Sequence, residues 1–154
     1  MNASIIAVGR LREKPFRAMA DEYLKRLGRY GRVQEIELPD LPESADEERV
    51  KRREGEAVLQ RIRPGDWVIA LTIPGRRWGS EELAAHLDSL QTAGHSSLVF
   101  VLGGSLGLSA EVLARADEEL SMSPMTFPHQ LARVMLLEQL YRCCKISAGE
   151  RYHK

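Results

Sequence analysis

Residues 99–109 of this chain read Val99-Phe100-Val101-Leu102-Gly103-Gly104-Ser105-Leu106-Gly107-Leu108-Ser109. The apolar run predicts a buried strand, and the glycines after it predict a tight turn into a helix that Ser109 caps. An α/β protein uses such a junction to present main-chain N–H groups to a small ligand. The stretch therefore predicts an α/β fold and the position of a pocket, although a plain tight turn also fits these glycines.

A second stretch, Leu120–Gln130, predicts a brief strand followed by an irregular loop that Pro124 and Pro128 stiffen. Main-chain groups in such a loop cannot join a regular ladder, so a ligand would have to satisfy those that are buried. Two loops at the same edge of one sheet would enclose a pocket, and a flat heterocycle would suit main-chain hydrogen bonds there.

Strand and helix patterns alternate along the whole chain. Apolar or alternating runs predict strands at Ser4–Val8, Val33–Leu38, Trp67–Ile73, Leu98–Leu102 and Leu120–Met122. Helical periodicity or caps predict helices at Phe16–Leu27, Arg49–Arg61, from the cap Ser80 to Gly94, after Ser109, and at Gln130–Cys144. A turn at Pro74-Gly75 and an acidic loop at Asp40–Glu48 are also predicted. The alternation predicts a parallel sheet of about five strands with helices on both faces, in a single domain over residues 1–154.

The composition is ordinary for a globular protein, with 44% hydrophobic and 29% charged residues and a formal net charge of +0. A free-standing nucleic-acid-binding domain is usually basic, so any contact with RNA would depend on local positive charge. The N-terminal quarter offers such a cluster, which fits either a solvated helix face or an RNA-binding patch: Arg10, Arg12, Lys14, Arg17, Lys25, Arg26, Arg29 and Arg32.

Several classes of protein are disfavoured. No apolar run resembles a signal peptide or reaches the length of a membrane span. The neighbours Cys143 and Cys144 offer neither a disulfide framework nor the spacing of metal ligands. We therefore expect a cytoplasmic protein that uses no membrane and no metal.

The last predicted helix is apolar around most of its circumference, which is typical of a helix buried on more than one side. We expect one side to pack on the sheet and another on a second copy of the chain, since two-fold dimers are the commonest oligomers.

Four motifs in the C-terminal half are long and specific: Leu102–Leu108, Leu120–Gln130, Arg133–Arg142 and Tyr152-His153-Lys154. With further matches at Ile6–Leu11, Glu22–Leu27 and Ile73-Pro74-Gly75, they resemble the SPOUT class of trefoil-knotted RNA methyltransferases, and within it the small RlmH type. The resemblance implies a Rossmann-like sheet with a C-terminal trefoil knot, an exception to the rule that chains avoid threading. It also implies S-adenosylmethionine as cofactor and an obligate homodimer. The implied reaction is methylation of N3 of a pseudouridine in the helix 69 loop of 23S ribosomal RNA, on assembled ribosomes.

Carried onto this sequence, the cofactor contacts of the family fall on two single residues and one loop. Many relatives have an acidic residue where this chain has Thr72, so a carboxylate facing the sulfonium there would have no counterpart at this position. The implied contacts are Leu71, Gly103, Met122, Ser123, Pro124, Met125, Thr126 and Phe127.

N3 of pseudouridine has to lose its imide proton before it can attack a methyl group. A general base could remove that proton, or in-line placement of the reactants could supply much of the acceleration. His129, directly after the cofactor loop, and His153, near the terminus, are catalytic candidates, although a lone histidine is more often structural. Arg133 is a third catalytic candidate, for contact with the substrate. Arg142 could hold a phosphate or pair with Glu138 four residues earlier, and Tyr152 could stack on a splayed base.

Two other classes of function use similar sheets. One is a nicotinamide or flavin oxidoreductase, which the missing G-x-G-x-x-G pattern disfavours. The other is a non-catalytic module that binds a nucleotide in the same pocket.

Overall fold

The computed structural model describes residues 1–42 and 46–154 of the chain. Within them, one sheet contains β1 (Asn2–Val8), β2 (Arg32–Leu38), β3 (Trp67–Arg77), β4 (Leu98–Leu102) and β5 (Glu118–Ser121). The helices are α1 (Lys14–Leu27), α2 (Glu47–Leu59), α3 (Ser80–Thr92), α4 (Ala110–Arg115) and α5 (His129–Ser147). The strand order is β2-β1-β4-β3-β5 and every neighbouring pair is parallel, which confirms the predicted fold class. The trefoil knot stays a prediction.

Helices cover both faces of the sheet, which explains why β4 is wholly apolar and buried. One face packs against α1, α3 and α5, with Phe100 and Leu137 in its core. The other face packs against α2 and α4 around Val101 and Val112. Two separate cores thus hold the central strands between them.

Helix α5 lies on the sheet between α1 and α3. This position buries Leu136, Leu137 and Leu140 completely within one chain. The sheet and the two flanking helices therefore account for much of the apolar circumference of α5. The second copy predicted from that pattern stays a prediction.

The turn predicted at Pro74-Gly75 is wrong, because β3 continues through both residues to Arg77. Leu71 and Arg76 both pair with Leu120 of β5, so the intervening residues bulge out of the ladder. Proline cannot donate to a ladder, and a Cβ on Gly75 would lie 2.8 Å from backbone atoms of β5. Pro74 and Gly75 therefore lie in a bulge within a strand and not in a turn that ends it.

The cap predicted at Ser80 is also wrong. Gly79 occupies the N-cap, and the Glu82 carboxylate accepts a hydrogen bond from its N–H at 2.7 Å. Ser80 is the first helical residue, and its hydroxyl donates to Gln139 of α5 at 2.7 Å. The cap predicted at Ser109 is confirmed, since its Oγ accepts from the Val112 N–H.

The predicted acidic loop Asp40–Glu48 is only partly described, because residues 43–45 lie outside the described residues. Asp46 caps α2 by accepting from the Arg49 N–H at 3.1 Å. Helix α2 therefore begins at Glu47, two residues before the predicted start.

No helix in residues 1–42 and 46–154 is long and apolar enough to cross a membrane. The same residues contain no group of three His, Cys, Asp or Glu side chains that could hold a metal ion. Cys143 and Cys144 are free and buried, and burial raises the pKa of the Cys143 thiol to about 12. Both cysteines therefore pack as small apolar side chains.

Candidate active site

A pocket of about 390 Å³ opens where β3, β4 and β5 end. Parallel α/β sheets bind ligands at this edge, and pockets of roughly 300–1,000 Å³ accept drug-sized molecules. Its walls come from the bulge of β3, the turn after β4, the loop after β5 and the first turn of α5. The two loops predicted to enclose a pocket do meet here.

The turn after β4, which we call the glycine turn (Gly103–Leu108), is tightly folded. Gly107 has a φ of +80°, and its N–H donates to the Gly104 carbonyl at 3.1 Å. A Cβ on Gly103 would lie 2.8 Å from the Gly107 carbonyl carbon. Only glycine fits at that position, because the turn folds back on itself there and leaves no room for a side chain.

The loop after β5, which we call the cofactor loop (Met122–Phe127), is held by serine side chains. Ser121 Oγ donates to the Ser123 carbonyl, and Ser123 Oγ accepts from the Met125 N–H at 3.0 Å. Within the described part of the chain, the N–H groups of Thr126 and Phe127 have no protein partner. These main-chain donors are available to a ligand, as the irregular sequence predicts.

The structure brings seven of the eight predicted cofactor contacts together in the lining of the pocket, and the eighth, Pro124, lies in the same loop without lining it. Thr72 also lines the pocket, and its Oγ1 is buried without a hydrogen-bond partner among the described residues. Apolar walls, free main-chain donors and this orphan hydroxyl fit a ligand with a flat ring and a polar edge. Cofactor binding by these residues stays a prediction. The seven that line the pocket are Leu71, Gly103, Met122, Ser123, Met125, Thr126 and Phe127.

His129 is the first residue of α5, is exposed, and lines the pocket. The helix start therefore presents an imidazole at the mouth of the site. His86 lies elsewhere, with its Nε2 2.9 Å from both carboxylate oxygens of Glu118. His129 is thus the predicted catalytic residue that this geometry favours.

Arg133 lies one turn further along α5 and does not line the pocket. Its side chain is 2% exposed and donates to the Gly9 carbonyl and to Glu37, both at 2.7 Å, and to Glu35 at 3.3 Å. A substrate contact by Arg133 stays a prediction, and the guanidinium would have to leave these acceptors to make it.

Glu37 connects this buried network to the loop between β1 and α1. Its carboxylate also accepts from the Leu11 N–H at 2.8 Å. Burial opposes ionisation of Glu37, but the hydrogen bonds from Arg133 and Leu11 outweigh it and lower the pKa of the carboxyl. The network therefore fixes the segment Gly9–Leu11 beside the start of α5.

The other three predicted residues surround Glu138 on the second half of α5, in what we call the C-terminal cluster (Glu138, Arg142, Tyr152 and His153). The predicted pair of Arg142 with Glu138 is confirmed at 2.6 Å. The Tyr152 hydroxyl donates to Glu138 at 3.1 Å, and its ring lies under the Arg142 guanidinium. His153 Nδ1 lies 3.3 Å from Arg142 Nη1.

The C-terminal cluster does not line the pocket of its own chain. Ala132 is the last residue of α5 in the lining, and Arg142 follows it ten residues later. A helix rises 1.5 Å per residue, so the two positions are about 15 Å apart along the axis. The predicted site residues thus fall into three separate groups: those at the pocket, Arg133 in its buried network, and the C-terminal cluster.

Sequence reasoning missed Glu54 of α2, whose carboxyl is buried against the glycine turn. A signal was present in the sequence. Glu54 lies four residues after Val50 and four before Val58, so an acidic residue occupies the apolar stripe of a helix.

Three of the eight basic residues of the N-terminal quarter are paired. Arg12 contacts Asp40, Arg26 contacts Glu22, and Arg17 contacts Asp21, Glu35 and Glu37. The other five are exposed and form no ion pair with the described residues: Arg10, Lys14, Lys25, Arg29 and Arg32.

Residues 1–153 match a family model described as a predicted SPOUT methyltransferase. The chain is 54%, 51% and 52% identical to proteins named ribosomal RNA large subunit methyltransferase H from Alkaliphilus oremlandii, Shouchella clausii and Bacillus thuringiensis. Each of these alignments covers 100% of both proteins.

A solved structure of a probable methylase family protein from Haemophilus influenzae Rd KW20 is similar in fold, with a TM-score of 0.56. It covers 99% of this chain and 70% of that one at 17% identity, so this likeness concerns the fold alone. The family match over nearly the whole length and the full-length relatives lead to one conclusion: this chain belongs to the SPOUT methyltransferase family.

Proposed function

We propose that this protein uses S-adenosylmethionine to methylate N3 of a pseudouridine in the helix 69 loop of 23S ribosomal RNA, on assembled cytoplasmic ribosomes. The observation that carries the proposal is the pocket in which the glycine turn and the cofactor loop meet, in a chain of a methyltransferase family. The names of its relatives support ribosomal RNA of the large subunit as the substrate. We also propose that residues 1–154 act as one domain with a knotted C-terminal segment.

The cofactor would lie between the glycine turn and the cofactor loop. Gly103 and the main-chain N–H groups of Thr126 and Phe127 would bind its polar groups, and Leu71 and Met122 would pack against its ring. When bound, S-adenosylmethionine supplies a methyl group activated by a sulfonium. These residues bind and orient it, and the apolar lining excludes water.

A residue of the chain would have to accept the proton that N3 loses. We propose that the imidazole of His129 accepts this proton at the mouth of the pocket, which leaves a nucleophilic nitrogen. Arg133 would act on the substrate through the segment it holds, since its bond to Gly9 fixes the basic residues that follow.

The C-terminal cluster would serve the site only if a second copy brought it there, because it does not line the pocket of its own chain and Arg142 lies about 15 Å further along α5 than Ala132. We therefore propose a homodimer in which Arg142, Tyr152 and His153 of one copy contact RNA beside the pocket of the other. Two apolar side chains at the mouth of the pocket are exposed in the single chain, Ile73 at 52% and Met125 at 70%. A second copy that covers the mouth would bury them, which supports the dimer.

Methyl transfer to ribosomes that lack this modification tests the proposed function. We expect radiolabel from S-adenosylmethionine to enter 23S RNA of intact ribosomes, at N3 of a helix 69 pseudouridine, and not free 23S RNA. Label at another nucleotide, or no label with a purified protein that binds the cofactor, would overturn the proposed substrate.

A thermal-shift comparison of S-adenosylmethionine, NAD and ATP tests the cofactor separately. A ligand at about 100 times its dissociation constant adds roughly 2.7 kcal/mol to the free energy of unfolding. We expect stabilisation by S-adenosylmethionine alone. Stabilisation by NAD or ATP alone would favour an oxidoreductase or a nucleotide-binding module.

A further inference from the structure

Glu54 of α2 is a buried acid that has no cationic partner among the described residues. It is 7% exposed, and its carboxylate accepts one long hydrogen bond, from the Leu41 N–H at 3.4 Å. It forms no ion pair with the residues that the structure describes. By contrast, Glu35 and Glu37 both pair with arginines. A buried carboxylate with a single long hydrogen bond is costly, so its presence calls for a partner beyond those that the described residues supply.

The environment of Glu54 penalises its negative charge. Burial raises the pKa of the carboxyl, and the nearby charge of Asp40 raises it further. A positive charge nearby would reverse this penalty and favour the ionised form. The chemistry therefore fits a cation at this place.

The carboxylate lies directly against the wall of the pocket. A Cβ on Gly104 would lie 3.3 and 3.4 Å from the two oxygens of Glu54, and Gly104 lines the pocket. The absence of a side chain at position 104 is what lets the acid approach the glycine turn so closely.

Gly55, the residue after Glu54, fixes how closely α2 approaches the glycine turn. A Cβ on Gly55 would lie 2.2 Å from Ser109 Oγ, so α2 packs on the end of the same loop without room for a side chain. Glu54 thus contacts Gly104 and Gly55 contacts Ser109, so α2 packs against both ends of the segment 104–109. The carboxylate is held where it is by packing and not by an ion pair.

The pocket itself has no charged wall. Among the described lining residues there is no Asp, Glu, Lys or Arg, and the polar side chains are those of Thr72, Ser123, Thr126 and His129. A charge just behind an apolar wall acts strongly on a bound ion, because the interior screens it less than water does.

We propose that Glu54 supplies the negative charge by which this pocket prefers a cationic ligand to a neutral one of the same shape. The inference rests on the proposed function, because the cation it assigns is the sulfonium of S-adenosylmethionine. Methyl transfer converts that sulfonium into the neutral thioether of S-adenosylhomocysteine. Glu54 therefore favours the methyl donor over the spent product, which promotes product release.

Calorimetric titration of the full chain with S-adenosylmethionine and S-adenosylhomocysteine tests this proposal. The readout is the ratio of the two dissociation constants, product over donor. Glu54→Gln keeps the shape and removes the charge, so we expect it to lower the ratio about tenfold, the effect of one pKa unit of charge interaction. Glu56→Gln, an exposed acid on the same helix, should leave the ratio unchanged.

Glu54→Asp provides a second variant if Glu54→Gln does not fold. It keeps the charge but withdraws it from Gly104 by one methylene, so we expect a smaller drop, about threefold. A folded Glu54→Gln or Glu54→Asp protein with the ratio of the original chain would overturn the proposal. Equal weakening of both ligands would also overturn it, since a purely structural role predicts that result.

A wrong assignment of the cofactor would give a different result from a wrong assignment of Glu54. If the original chain binds neither compound, the assignment of the cofactor is wrong, whatever Glu54 does. If it binds both and only the ratio is insensitive to Glu54, the cofactor stands and this inference alone is wrong.

Discussion

The guanidinium of Arg133 connects three parts of the chain that are far apart in sequence: the end of β1, strand β2 and helix α5. Arg133→Met would leave the partly buried carboxylates of Glu35 and Glu37 with Arg17 as their remaining arginine. Removing one partner of a buried ion pair typically costs about 3–5 kcal/mol, and we expect a loss of that size in urea unfolding. Arg12→Met, at the exposed pair with Asp40, should change the free energy of unfolding by less than about 1 kcal/mol. Equal effects of the two substitutions would contradict this account.

The same network predicts how stability depends on pH. The pKa of Glu37 is lowered in the folded chain, so its contribution to stability is fully present above its unfolded value of about 4.5. The contribution is lost as the pH falls through the lower folded value. Urea unfolding of the original chain and of Glu37→Gln should therefore differ most at neutral pH and converge in acid. A difference that grows in acid would contradict the assignment.

His129 is the histidine that the pocket geometry favours for proton transfer. His129→Ala should slow single-turnover methylation of ribosomes at saturating cofactor by about 100-fold or more, the usual scale of general acid–base catalysis. His95→Ala serves as a control, since His95 packs on Trp67 at the opposite end of β3. An unchanged rate for His129→Ala would contradict proton transfer by His129.

At the scale of elements, the C-terminal tail packs on the outer surface of the core, beside α5. Tyr152 packs edge-on against Tyr141, and Glu150 accepts from the Tyr30 hydroxyl. Truncation after Gly149 should abolish methylation of ribosomes and leave the dissociation constant of S-adenosylmethionine within about twofold, a difference of less than 0.5 kcal/mol. Calorimetry and the methylation assay together check this. Loss of cofactor binding would show that the tail supports the pocket instead.

Elements with strong local signals were predictable from the sequence. Strand β4 has the predicted bounds, because five apolar residues followed by glycines leave little alternative. The end of β3 was not predictable, since Pro74-Gly75 ordinarily forms a turn. Here the pairing of Leu71 and Arg76 with the same residue of β5 turns it into a bulge that lines the pocket. That outcome depends on a strand that comes more than 40 residues later in the chain.

At the scale of the whole molecule, five basic residues without an ion pair to any described residue lie on or beside α1, although the net charge is +0. If this patch binds ribosomal RNA, methylation of ribosomes should fall steeply with salt while cofactor affinity hardly changes, because counterion release governs contacts with phosphates. The double variant Arg10→Ala, Lys14→Ala should have a shallower slope of log activity against log salt, by the amount expected for about two lost phosphate contacts. Arg52→Ala, on α2 across the sheet, is the matched control. An unchanged slope in the double variant would identify the patch as a solvated helix face.

The sequence by itself determined the alternation of strands and helices, the parallel sheet, the two loops that meet at the pocket, and the residues that carry the family resemblance. These follow from hydrophobic periodicity, glycine and proline chemistry and helix caps, all of which act over a few residues. Only the tertiary structure decided that Arg133 is buried among carboxylates, that the C-terminal cluster lies outside the pocket lining of its own chain, and that Glu54 lies against Gly104. Those outcomes depend on which distant segments come to pack together. Burial and charge compensation are properties of that packing and not of any local stretch of sequence.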